Sequence, residues 1–242
     1  MKVYENEDAV EEVIGLLRRQ GGSHRYRGNW RVSKLVCCQR NAYWWRTGTP
    51  WLPDDPVSLE LTFTRGKAHH LILEVYLDRE KELEKDEITG HYDMKGDRVV
   101  EIFTTTVGLN RVKSPIDAAT VFRIKANQLK CYLKMEDDLK GDLMIFYLFG
   151  DYSRPIKPQL KVYTMEFEVD ELNTHWKGIL NRRDNLEWRV SVEEPPEEVG
   201  EPYECINCGY RYKCVELLQE RFDMAITEYI EALRDGEDEV VL

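Results

Sequence analysis

Acid is missing from one long stretch of this chain. Between Val13 and Pro53 there is no Asp or Glu, so all 45 acidic residues of the 242-residue, net −11 sequence lie elsewhere. Long apolar runs are missing too: none approaches the roughly twenty residues that a membrane-crossing helix needs. The opening residues, MKVYENEDAVEE, lack the charged-then-apolar layout of a secretion signal, which predicts a cytoplasmic protein with no membrane contact. Repeats and low-complexity tracts are absent, which excludes collagen-like and compositionally biased classes. With 42% apolar and 11% aromatic residues, the chain can offset the entropy of ordering and bury a core.

The acid-free stretch holds Arg18, Arg19, Arg25, Arg27, Arg31, Lys34, Arg40 and Arg46, interleaved with Tyr26, Trp30, Tyr43, Trp44, Trp45 and Trp51. Cationic side chains follow a phosphate backbone and aromatic faces stack on bases, so the mixture suits single-stranded nucleic acid. Arg25, Arg27, Arg40, Tyr43 and Trp44 are the candidate contacts. The competing reading is a folded segment whose aromatics belong to the core.

The pattern predicts an amphipathic helix over residues 6–19, a second helix capped by Ser33 and running toward Trp45, and a third from Leu59 to Tyr76. A hairpin follows: Ile88 to Met94, a turn at Lys95-Gly96-Asp97, then Val99 to Val107. Ser114-Pro115 opens a helix to about Met135. Strands are expected over Leu143–Phe149 and Leu160–Val169, a short helix over Asn173–Asn181, and a last helix from Val215 to about Arg234. The acidic, proline-containing stretch at 193–198 reads as a linker. These elements predict an α/β or α+β core with a separate cysteine-bearing lobe. They divide into a basic, aromatic segment (1–60), a core (61–192) and a linker with cysteine cluster and helix (193–242).

Cys205, Cys208 and Cys214 form C-x2-C-x5-C. In a reducing compartment this spacing points to a metal rather than a disulfide. A fourth thiolate is available at Cys37-Cys38, whereas Cys131 lies within a helix and reads as a small buried hydrophobe. Zinc and an iron–sulfur cluster both suit four thiolates.

A second constellation is acidic. Asp93 ends one hairpin strand and Glu101 sits on the other, so their carboxylates can converge on a divalent cation. His70 presents an imidazole one helical turn after Gly66. Lys125, Gln128 and Tyr132 fall on one face of the helix after Pro115. One imidazole and two carboxylates suit Mn²⁺ or Mg²⁺, which can assist phosphodiester hydrolysis.

The order G-x-x-x-H, G-x-x-D, E-I-x and Q-x-x-x-Y resembles the RecB-type branch of the PD-(D/E)XK nucleases. Ser33-Lys34-Leu35-Val36-Cys37-Cys38-Gln39-Arg40, with the three later cysteines, resembles the CRISPR-associated iron–sulfur RecB-like exonuclease family. That resemblance implies a nuclease core with a central mixed sheet flanked by helices, joined to a cysteine-ligated cluster lobe. It implies a 4Fe–4S or 2Fe–2S cluster on Cys38, Cys205, Cys208 and Cys214; Cys38 rather than Cys37 precedes Gln39-Arg40, which stands where the family shows C-P-R. It also implies metal ligation by His70, Asp93 and Glu101, with Gln128 and Tyr132 supporting the site. The implied activity is trimming of single-stranded or overhanging DNA ends for spacer acquisition, with CRISPR integrase proteins as partners.

One position departs from that pattern. The family carries a lysine two residues after the acid, and this chain carries Phe103, which faces the same way as Glu101. Two accounts compete: Lys125 supplies the charge from the neighbouring helix, or the site is silent and the protein is a DNA-binding adaptor. A third reading keeps only the cysteines, as a zinc-stabilised interaction module.

Overall fold

A computed structural model describes residues 28–53, 58, 61, 62, 64, 68, 81–149, 157–198, 200–205 and 208–220. The helix expected over 6–19, together with Arg25, Arg27 and His70, lies outside the described residues. So does most of the helix expected from Leu59 to Tyr76, of which Leu61, Thr62, Thr64 and Ala68 are helical, as is Ser58 just before it.

The elements are mixed α/β. In chain order they are β1 (Trp30–Arg31), α1 (Val32–Leu35), α2 (Gln39–Thr47), β2 (Lys81–Lys85), β3 (Ile88–Tyr92), β4 (Met94–Lys95) and β5 (Val99–Thr105). After these come α3 (Pro115–Val121), α4 (Arg123–Glu136), β6 (Lys140–Tyr147), β7 (Gln159–Glu166), α5 (Val169–Ser191) and α6 (Pro202–Cys205). Residues 211–220 are also helical. No helix among the described residues is long and apolar enough to cross a membrane.

Two mixed sheets replace the single hairpin expected at Ile88–Val107. In one, the order is β1-β3-β2, with β1 parallel and β2 antiparallel to β3. In the other, the order is β4-β5-β6-β7, with β5 and β6 parallel and both outer pairs antiparallel. Only the short β4 folds back on β5. β3 turns instead to β2, through Asp86 and Glu87, both left-handed at φ 51° and 58°. A two-residue turn of this hand matches strand twist but is strained for residues with a Cβ. The strain is held by α5: Trp176 Nε1 donates to Asp86 Oδ2 at 2.8 Å, and the Arg183 guanidinium donates to the Asp86 carbonyl.

β5 is buried on both faces from Val99 to Phe103, as expected for a strand with a parallel neighbour and helices beside it. β6 buries Gly141, Leu143, Ile145 and Tyr147 at a period of two. α4 lies against both sheets and presents Ala126, Leu129, Cys131, Tyr132 and Leu133 to the core. α5 spans 23 residues, far beyond the Asn173–Asn181 segment expected, and buries Leu172, Trp176, Ile179 and Leu186 along one stripe.

Two helix boundaries also differ. Ser33 caps nothing; the chain breaks after Leu35 and restarts with Cys38 at the N-terminus of α2. The helix after Ser114 opens as expected, with a reciprocal cap between Ser114 and Asp117, but it breaks at Phe122 into α3 and α4.

Candidate active site

Asp93 stands where the chain leaves the first sheet, between the end of β3 and the start of β4, and its Oδ2 accepts the Ile102 N–H of β5 at 2.6 Å. Glu101 is the third residue of β5, next to Ile102, so the two acids are held on one short stretch of backbone. The Glu101 side chain is 3% exposed. Burying a carboxylate requires a compensating charge, and Lys125 from the first turn of α4 brings its Nζ to 2.6 Å from Glu101 Oε1. Burial opposes the Lys125 charge, but the Glu101 carboxylate, the bond to it and the charge of Asp93 outweigh burial and hold the ammonium above its ordinary value.

One turn further along α4, Gln128 Nε2 donates to Tyr132 Oη at 3.3 Å, and both residues are buried. Burial first, then the charges of Glu101 and Asp93, push the Tyr132 phenol far up, so it stays neutral. Gly90 explains why β3 lies so near: a Cβ there would stand 2.7 Å from Tyr132 Cε1 and 3.2 Å from Val32 Cγ2. Asp93, Glu101, Lys125, Gln128 and Tyr132 all line one cleft of about 230 Å³. Arg31, Val32, Ser33, Thr89, Gly90 and His91 complete its lining.

The donor set fits a hard divalent cation: two carboxylates act on the same ammonium and the same phenol, beside a cleft with room for a phosphate. Among the described residues, no group of three or more His, Cys, Asp or Glu side chains already stands at metal-holding distance.

Cys38, Cys205, Cys208 and Cys214 line a second, smaller cavity with Asn41, Trp44, Glu204, Tyr210 and Arg211. Burial, followed by the charges of Cys38, Cys208 and Cys214, pushes the Cys205 thiol up. Glu204 clamps the rim: its Oε1 accepts the Cys38 N–H at 2.8 Å and its Oε2 the Glu201 N–H at 3.0 Å. Asn41 Nδ2 donates to Cys208 Sγ at 3.6 Å. Gly200 packs so closely that a Cβ would stand 3.0 Å from Cys38 Sγ. The Trp44 indole N–H is buried with no hydrogen-bond partner among the described residues. Four sulfurs line one cavity, and among the described residues no three of them stand at metal-holding distance. Cys131, by contrast, is fully buried in α4, with burial holding its thiol far up.

The expectation of phosphate and base contacts at Arg40 and Tyr43 is corrected. Arg40 is buried at 2% exposure, with Nε donating to the Pro196 carbonyl at 2.8 Å and Nη2 to the Glu197 carbonyl at 3.0 Å. Tyr43 is a core residue, edge-on to Trp44 at 4.9 Å. Trp44 faces the cysteine cavity rather than open solvent. This face of α2 is joined instead to Pro196, Glu197 and Glu204.

Arg31 of the acid-free stretch lines the cleft, with Lys34 and Trp45 beside it, and none of the three was among the five candidate contacts. The Arg31 guanidinium and Lys34 Nζ lie 5.9 and 5.6 Å from the centre of the Trp45 ring. The i, i+3 spacing of Arg31 and Lys34 was the available signal. Glu204 and Asn41 were missed as well, and neither carries a sequence signal apart from its nearness to a cysteine.

No family model and no curated protein matches the sequence. Among solved structures, the chain is similar to the crystal structure of SSO0001, at 18% identity, covering 84% of this chain and 95% of that one with a TM-score of 0.47. An alkaline exonuclease from Laribacter hongkongensis matches at 11% identity over 72% of this chain and 95% of its own, with a TM-score of 0.44. A phage-related exonuclease from Haemophilus somnus 129PT matches at 12% identity over 77% and 82%, with a TM-score of 0.40.

Proposed function

We propose that the cleft between β5 and α4 hydrolyses DNA phosphodiesters with a divalent cation, as an end-trimming exonuclease with a RecB-type PD-(D/E)XK core. The observation that carries the reading is the convergence of Asp93, Glu101 and Lys125 on one cleft. Asp93 and Glu101 are the carboxylate ligands, and His70 is assigned as the third ligand on the motif order alone. Bound there, Mn²⁺ or Mg²⁺ supplies Lewis acidity for the attack of water on phosphorus. Lys125 stabilises the charge that grows on the phosphoryl oxygens, the part the family gives to the strand lysine. Gln128 and Tyr132 offer neutral hydrogen bonds that orient the phosphate. Water adds to phosphorus, the P–O bond breaks, and the departing oxygen takes a proton.

The strand approaches past Arg31, Ser33 and Lys34, where cations flank the Trp45 face. This arrangement supports a DNA end that is single-stranded or overhanging as the substrate. Cys38, Cys205, Cys208 and Cys214 would hold an iron–sulfur cluster, supported by their shared cavity and by the family resemblance. Integrase proteins of CRISPR spacer acquisition enter as partners through that resemblance alone.

Phe103 in place of the family lysine favours a second reading, a silent DNA-binding adaptor. Incubation with Mn²⁺ and end-labelled overhanging DNA separates the two. Cleavage that an Asp93→Ala variant lacks supports the nuclease. Tight binding without turnover supports the adaptor, and neither binding nor turnover leaves only the zinc-stabilised interaction module.

A further inference from the structure

Phe103 stands on β5 two residues after Glu101 and is 8% exposed. Its ring meets Phe122 edge-on, with centroids 4.9 Å apart and planes at 65°. Phe122 in turn meets Tyr147 of β6 at 6.2 Å and 66°. The three rings form a continuous aromatic wedge between the sheet and the helix layer, in the geometry that aromatic quadrupoles favour.

Phe122 is also the residue at which α3 ends and α4 begins. Its backbone, at φ −109° and ψ 41°, is non-helical, and this break re-aims the chain. Lys125 follows three residues later, on the same side of the first turn of α4. Its Nζ lies 5.9 Å from the Phe103 ring centre while contacting Glu101 at 2.6 Å. A flexible lysine side chain loses much rotamer freedom when held at one point, so a ring wall and a fixed helix start lower the cost of ordering it.

We propose that Phe103 and Phe122 are positioning residues: together they build the seat that delivers a helix-borne lysine to the place of the strand lysine. The aromatic at position 103 is then half of a compensated exchange and no lesion. This rests on the reading of the cleft as a phosphodiesterase in which Lys125 is the catalytic cation. It reaches further by predicting the behaviour of the apparent repair. A lysine at 103 would enter the ring wedge beside Lys125, where like charges repel, so Phe103→Lys alone harms the site.

Two measurements on the full-length protein test the seat, with thermal unfolding of each variant to confirm folding. The first compares Mn²⁺-dependent cleavage of overhanging DNA by the wild type, Phe103→Leu, Phe122→Leu, Phe103→Lys, Lys125→Ala and the Phe103→Lys/Lys125→Ala pair. The expected result is a kcat lower by about tenfold in both leucine variants, with KM within about twofold. Phe103→Lys falls below wild type, while the double variant recovers at least about tenfold over Lys125→Ala, because one lysine is restored without a rival. Unchanged kcat in the leucine variants, or a gain in Phe103→Lys, overturns the seat.

The second measurement needs no turnover: reductive methylation of lysines, mapped by mass spectrometry. Lys125 becomes several-fold more reactive relative to Lys130 in Phe103→Leu if the ring wall holds it. Equal reactivity in the two proteins overturns the seat whether or not the wild type cleaves DNA. Inactive wild type with Lys125 released by Phe103→Leu would refute the nuclease reading and leave the seat standing.

Discussion

Lys125 Nζ lies 2.6 Å from Glu101 Oε1, so a helix and a strand that are 24 residues apart in sequence meet at one buried carboxylate. This contact joins fold to chemistry. Without the ammonium, the buried Glu101 carboxylate would lose the cation bonded to its Oε1; with it, the proposed cleft has both a carboxylate ligand and a charge for the phosphoryl group.

Lys125→Ala should lower kcat by about 10²–10³, the usual effect of losing one preorganised charge, while DNA affinity changes by less than about threefold. Cleavage kinetics and fluorescence anisotropy on the same overhanging substrate check both halves. A loss confined to affinity would make Lys125 an ordinary phosphate contact.

Mn²⁺ should raise the thermal midpoint of the wild type by mass action, because the ion binds the folded cleft alone. Asp93→Asn and Glu101→Gln should each abolish most of that rise. Differential scanning fluorimetry with and without Mn²⁺ measures it, and an undiminished rise in both variants would place the ion elsewhere.

Cys208→Ser should remove the thiolate-held centre and cost about 2 kcal/mol or more, seen as a midpoint lower by about 4–8 °C. Visible absorption and bound iron or zinc are read on the same sample. Brown wild-type protein assigns iron–sulfur. Colourless protein that contains zinc when purified without air assigns zinc.

His175 gives a pH dependence of known sign. Its Nε2 lies 3.5 Å from Cys131 Sγ and 3.3 Å from the Asn127 carbonyl. Burial, and next the Lys130 charge, hold it below the ordinary 6.5, against the Asn127 carbonyl and Glu171. Below that ordinary value the unfolded chain takes up a proton that the folded chain resists, so this contribution to stability is complete above it and is lost as pH falls. Urea midpoints at about pH 7.5 and about pH 5.5 should therefore drop more for the wild type than for His175→Gln. Parallel losses in the two proteins would contradict it.

Gly90→Ala should cost about 1–3 kcal/mol, because its Cβ would meet the Tyr132 ring at 2.7 Å and the buried phenol has little room to yield. Urea denaturation checks the cost. A neutral result would mean that β3 and α4 separate readily.

The cleft was legible in the sequence where residue chemistry and spacing agreed. Asp93, Glu101, Lys125, Gln128 and Tyr132 line one cleft, and Ser114 opens its helix with a reciprocal cap. The β2–β3 pair was not legible. Lys-Glu-Leu-Glu-Lys carries a helix-former's composition, and its turn, Asp86-Glu87, has no glycine because Trp176 and Arg183 hold it from a distant helix. The length of α5 was hidden likewise: Leu172, Trp176, Ile179 and Leu186 form a sparse stripe among charges. Arg40 was misread because a guanidinium carries no sign of which carbonyls will bury it, and its acceptors, Pro196 and Glu197, are 156 and 157 residues away.

The central claim is that Asp93 and Glu101 grip one divalent cation in the cleft beside Lys125. The most direct measurement is anomalous diffraction from crystals soaked in Mn²⁺. The account predicts one strong peak within bonding distance of carboxylate oxygens from both Asp93 and Glu101. A cleft with no peak, in crystals where Mn²⁺ binds elsewhere, would contradict it.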